Sequence, residues 1–231
     1  MSNAKKMISQ KQVEKVHQIV EPRYKKIRCW VHSWLHVKEV VKAARVLAEM
    51  EGEDVNACLV AAYCHDLGRL AGEERGPVPK ILGDKGHAAL SVEPTKEVLA
   101  TVGIGGKTAK EITEAVAVHS IKKYTGPNKI ARILQDADRK NGLGKWGFVR
   151  AVKFFTKIKL GQVTEKTDLE VLVKKSYQLL IQNPADIKTV IGVLKFTLEW
   201  YDELLNTEAA REYLKGDYLF TKRMLVRLEK V

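Results

Sequence analysis

The chain has 231 residues, 45% of them hydrophobic and 29% charged, with 40 Lys and Arg against 28 Asp and Glu for a net charge of +12. That composition is enough for a sizeable core and excludes a low-complexity or collagen-like chain. The positive balance leaves an anionic small substrate, nucleic acid or a lysine-rich solvated surface, but aromatics make up only 7% and do not alternate with the basic residues, so a single-strand stacking platform is not expected.

No stretch approaches the run of about 20 apolar residues that spans a bilayer. The first twenty residues are polar and charged, without an apolar signal core, so the chain is expected to be cytoplasmic and not membrane-bound. Cys29, Cys58 and Cys64 are odd in number and form no Cys-x-x-Cys pair, which argues for reduced thiols and against a structural zinc.

In chain order the pattern is helical almost throughout. His17 lies in a charged helix and reads as a surface residue. Trp34, Val37, Val41, Ala44 and Ala48 share one helix face. Asp54 is placed to cap a helix through Cys58, Leu59 and Ala62 to His65, with Gly68 to stop it. Leu70 to Lys85 is rich in Gly and Pro and reads as a loop beside the site. A helix begins near Gly86, and Pro94 should kink or interrupt it, because proline lacks the N–H and clashes with the preceding turn. Thr108 and Glu111 form a capping-box pattern opening a helix to His119. Residues 124–127 are a turn, and a helix follows over about 128–140. Beyond Gly144, helices are expected over about 145–160, 168–182 and 184–214, the last with Asn183 and Pro184 as cap and first residue. The expected fold is therefore all-α. Residues 1–155 would hold the chemistry, and helices of 156–231 would pack on them as an extension of what is expected to be one compact domain. Gly103–Thr108 resembles the end of a phosphate-binding P-loop, but Thr101 stands where the first glycine belongs, and the preceding segment is helical.

His36, His65, Asp66 and Asp138 stand out. Asp66 ends an apolar run, where a charge is costly unless paired or metal-bound and where the helix dipole disfavours an anion. Imidazole with carboxylate is the donor mixture for manganese, iron, cobalt, nickel or zinc, and magnesium remains compatible. Asp136 is the alternative to Asp138, since two residues apart on a helix they face different ways.

The order His36, then His65-Asp66 within Ala61–Arg69, then Asp138 within Leu134–Arg139 resembles the HD phosphohydrolase superfamily over roughly residues 28–150. The resemblance implies a helical fold holding one ion on these four residues, with Asp66 bridging to a second. Lys85-Gly-His87 and Ala117-Val-His119 are similar to the two-metal members, which implies His87 and His119 as ligands of a second ion. Many members carry an arginine soon after the second of these histidines; here Ser120 follows, with Lys122 and Lys123 beyond. His32, one turn before His36, is expected to contact it or the substrate. Asp66, His32, Arg69, Lys122 and Arg139 are the expected catalytic set, the basic residues being placed there to offset phosphate charge.

The expected activity is hydrolysis of a phosphate ester or anhydride, with a phosphorylated small molecule, preferably a nucleotide, as partner and nucleic acid disfavoured. Two alternatives carry different signatures. Relatives of this fold with a mixed-valence di-iron centre are oxygenases and would show iron, an EPR signal and oxygen consumption. A non-catalytic sensor would bind nucleotide or nucleic acid without turnover.

Overall fold

The computed structural model describes residues 7–27, 32–69, 85–161, 163–164 and 166–231. Among them are ten α-helices and no strand, so the fold is all-α. The chain divides into two compact units, residues 1–138 and 139–231.

The first unit begins with α1 (Gln10–Tyr24), opened by a capping box between Ser9 and Gln12. Val13, Val16, Val20 and Tyr24 recur at helical spacing and form its buried stripe. Next come α2 (Trp34–Met50) and α3 (Val55–Cys64). The face of α2 read from Trp34, Val37, Val41, Ala44 and Ala48 is buried. Asp54 caps α3 as expected, its carboxylate accepting the Ala57 N–H at 3.0 Å.

α3 is buried on nearly every side, from Ala57 to Ala62 and at Cys64. It packs against α1, α2, α4 (Lys85–Thr101) and α5 (Gly106–Val118). A helix covered all round needs no polar face, which explains its unbroken apolar run. Burial of Leu59 and Val60 contributes about 1.5–3 kcal/mol each. Cys58 and Cys64 are reduced and buried, whereas Cys29 and residues 70–84 of the expected loop lie outside the described residues, and Lys85 already begins α4.

Two details depart from the sequence reading. α4 runs through Pro94 without interruption. α5 starts at Gly106 with Gly105 as its N-cap and no side-chain cap bond, so Thr108 lies inside the helix, buried, instead of capping it. The segment between α4 and α5 is an interhelical turn in which Gly103 and Gly106 adopt φ of 71° and 64°, as the departure from the P-loop pattern implied. α6 (Lys129–Arg139) completes the unit and carries Asp138 at its end.

The second unit holds α7 (Gly144–Phe155), α8 (Leu169–Ile181), α9 (Pro184–Glu199) and α10 (Glu208–Leu228), with α7 packed against the other three. Pro184 opens α9 as expected. The single helix expected over 184–214 is instead two. A π-turn over Trp200–Leu204 ends α9, Leu205 turns extended, and the Thr207 hydroxyl accepts the Ala210 N–H at 3.1 Å to start α10. Among the described residues, no helix is long and apolar enough to cross a membrane.

Candidate metal centre

Six side chains from five segments of the first unit converge. His36 projects from the first turn of α2, His65 and Asp66 follow the last residue of α3, and Asp138 lies in the last turn of α6. His87 comes from the first turn of α4, and His119 directly follows α5. Their donor atoms form two triads, His36–His65–Asp138 and Asp66–His87–His119.

Asp66 faces both. Its Oδ2 lies 3.6 Å from the Nε2 atoms of His36 and His65, and its Oδ1 lies 3.5 Å from His87 Nε2 and 3.6 Å from His119 Nε2. Asp138 Oδ1 is 3.4 Å from His36 Nε2 and 4.0 Å from His65 Nε2. Within each triad the imidazoles meet Nε2 to Nε2 at 3.1 Å.

The backbone selects the tautomers of two of these rings. His65 Nδ1 donates to the Ala62 carbonyl at 2.8 Å, and His119 Nδ1 donates to the Val116 carbonyl at 2.7 Å. When neutral, each therefore presents a bare Nε2 lone pair to its triad. Burial pushes His65 and His87 down to about 4, against the opposing pull of Asp66, which keeps both rings in the neutral, metal-binding form near pH 7. Burial also acts to lower His119, but the attraction of the nearby Asp66 carboxylate outweighs that and raises it. Burial would raise the Asp66 carboxyl, yet Arg69 and the surrounding imidazoles hold it well below the usual carboxylate range.

The donor set fits divalent ions. Asp66 is 1% exposed, and its Oδ1 has no hydrogen-bond partner, a costly state for a carboxylate oxygen. Nitrogens 3.1 Å apart suit two bonds of about 2.1 Å made to one ion at roughly a right angle. His36, His65 and Asp138 would hold one ion and His87 and His119 a second, with one oxygen of Asp66 turned to each.

The remaining residues singled out in the sequence sit differently. Arg69 Nε is 2.6 Å from Asp66 Oδ2. His32 meets His36 edge-on, with ring centroids 6.0 Å apart. Lys122 and Lys123 are exposed in the bend after α5. Arg139 belongs to the second unit, where it is buried and donates from Nη1 to the Leu204 carbonyl at 2.6 Å. Asp136 is buried but outside both triads, as expected from its spacing to Asp138. His17 is not a plain surface residue: it is partly covered, stacking on Trp34 at 5.2 Å and Tyr63 at 5.5 Å.

Two contacts escaped the sequence reading. The Tyr24 hydroxyl accepts the Asp66 N–H at 3.1 Å, and the Ser91 hydroxyl accepts the Gly68 N–H at 2.8 Å. Neither residue belongs to a recognisable motif. Tyr24 continues the apolar stripe of α1 and reads as core.

A helical unit whose converging histidines and aspartates follow the order His, His-Asp, Asp defines a metal-binding α-domain. Residues 34–141 match the HD domain, so this stretch of the chain is an HD domain. No curated protein matches the chain in sequence. Solved structures share the fold. Bacillus subtilis YpgQ in complex with ADP is 24% identical with a TM-score of 0.61, over 95% of this chain and 94% of its own. A predicted HD superfamily hydrolase from an uncultured Thermotogales bacterium is 22% identical with a TM-score of 0.52, over 81% and 92%. The Lin1889 protein of Listeria innocua is 17% identical with a TM-score of 0.60, over 96% of each chain.

Proposed function

We propose that this protein is a cytoplasmic, metal-dependent phosphohydrolase acting on a phosphate ester or anhydride, with a nucleotide as the favoured substrate. The observation that carries the reading is Asp66, whose two oxygens face two separate triads while Oδ1 has no hydrogen-bond partner. A divalent ion bound by such ligands supplies a Lewis acid that draws charge from a phosphoryl oxygen and makes water acidic near neutral pH.

The chain's own residues do the rest. The Ala62 and Val116 carbonyls hold His65 and His119 with their Nε2 atoms turned inward. Arg69 sets a permanent positive charge beside the carboxylate, suited to an incoming phosphate as well as to Asp66. His32 stands against His36, where it orients that ring or meets the substrate. Lys122 and Lys123 add positive charge in the bend after His119. Arg139 is the weakest member of the catalytic set, because its guanidinium already serves the Leu204 carbonyl. The presence of ADP on YpgQ, a protein of the same fold, favours a phosphorylated anion as ligand.

Manganese-loaded protein presented with a panel of nucleotides and phosphate esters should release phosphate or pyrophosphate from at least one of them. Inactivity across the panel would overturn the proposal. Oxygen consumption with bound iron would replace it by oxygenase chemistry.

A further inference from the structure

The carboxylate of Asp66 must present one oxygen to each triad, so small rotations of its backbone misplace both oxygens at once. Yet α3 ends at Cys64, and Asp66 lies in the turn beyond it. We propose that Tyr24 and Ser91, neither of them a metal donor, are positioning residues that pin this turn and tie the two triads together. The inference rests on the two-ion reading of the site.

Tyr24 acts from one side. It is fully buried at the end of α1, outside the span of the HD-domain match, and its hydroxyl accepts the N–H of Asp66 itself at 3.1 Å.

Ser91 acts from the other side. It is also fully buried, and its hydroxyl does two things at once. It accepts the Gly68 N–H at 2.8 Å and donates to the His87 carbonyl at 2.8 Å. One oxygen thus links the turn carrying His65 and Asp66 to a residue of the second triad. Thr95 donates to the Ser91 carbonyl at 2.7 Å and braces the same stretch of α4. Gly68 makes the approach possible, since a Cβ there would lie 2.5 Å from His87 O and from the backbone of Leu90 and Ser91.

Cobalt(II) titration of the full chain, followed by visible absorption and chelator competition, tests the assignment. Wild type should take up about two ions. Tyr24→Phe keeps the ring and loses the hydroxyl; it should weaken both ions by about 10–100-fold and alter the cobalt spectrum, with helix content unchanged. Ser91→Ala should weaken the second ion more than the first, a split that general loss of stability does not produce. Thr207→Ala, a helix-cap variant in the second unit, controls for such loss and should titrate as wild type. Wild-type uptake by Tyr24→Phe, or equal weakening of both ions by Ser91→Ala, would overturn the assignment and leave the metal site standing. Absence of cobalt uptake by the wild type would remove both.

Discussion

The two triads are built from the same residue types but rest on different support. His36 and His65 stand on α2 and at the end of α3, the helices that form the core of the first unit, and both are buried. The second triad takes His87 from the first turn of α4, where its side chain is 17% exposed, and His119 from just beyond α5. Each triad has one member nearer solvent, a carboxylate in the first, with Asp138 32% exposed, and an imidazole in the second. The two faces of Asp66 differ as well. Oδ2, toward the first triad, meets Arg69 at 2.6 Å, whereas Oδ1, toward the second, has no hydrogen-bond partner. The two imidazoles of the first triad are therefore part of the core, whereas the second triad depends on how closely α4 approaches the turn after α3.

The most severe test removes what the triads share. Asp66→Ala should reduce bound metal from about two ions per chain to nearly none and bring hydrolysis down to the level of metal-free protein, because imidazoles cannot supply the lost charge. Elemental analysis with circular dichroism checks this, the helices being expected to persist. A narrower test separates the triads. With His87 and His119 both replaced by alanine, bound metal should fall from about two to about one. Hydrolysis should be largely lost, since the two ions act on the same phosphoryl group. A wild type that never exceeds one ion in excess manganese would collapse the comparison into a single-metal site.

Gly68→Ala probes the support instead of the ligands. Its new Cβ would overlap backbone atoms of α4, which cannot swing aside as a side chain can. The expected cost is about 1–3 kcal/mol in urea denaturation. His87 should be displaced while His36 and His65 are not, so the second ion should weaken and the first remain. Equal loss of both would show that the two triads are not supported separately.

These differences mark where the sequence could be read. The apolar face of α2 and the Asp54 cap are local patterns, and both appear where the periodicity and the capping chemistry put them. The six candidate ligands were singled out by the resemblance of their ordered segments to the HD superfamily and its two-metal members, although nothing in the sequence reveals that Asp66 turns one oxygen to each side. Tyr24 and Ser91 were illegible because they act across sequence separations of 42 and 23 residues and look like ordinary core and helix residues. Pro94 misled because a missing amide donor does not by itself end a helix that tertiary packing supports. Thr108 matched a capping box, yet the chain turned earlier, at glycines that reach positive φ without strain.

The smallest expected effect lies in the second unit and sharpens the comparison by contrast. The sequence reading ran one helix through residues 184–214, but the chain leaves α9 at Leu205 and begins α10 after Thr207. Thr207 is the N-cap, with extended backbone, and its hydroxyl accepts the Ala210 N–H at 3.1 Å. Without that acceptor, one of the four amides at the start of α10 loses its side-chain partner. Thr207→Ala should therefore lower stability by about 1 kcal/mol, measured as a shift in the urea midpoint without a change in slope. Metal content should not move, because Thr207 lies in the unit that holds none of the six ligands. A fall in metal content would mean that the centre draws on the second unit for its order, and the contrast between the triads would then have to include a support outside the first unit.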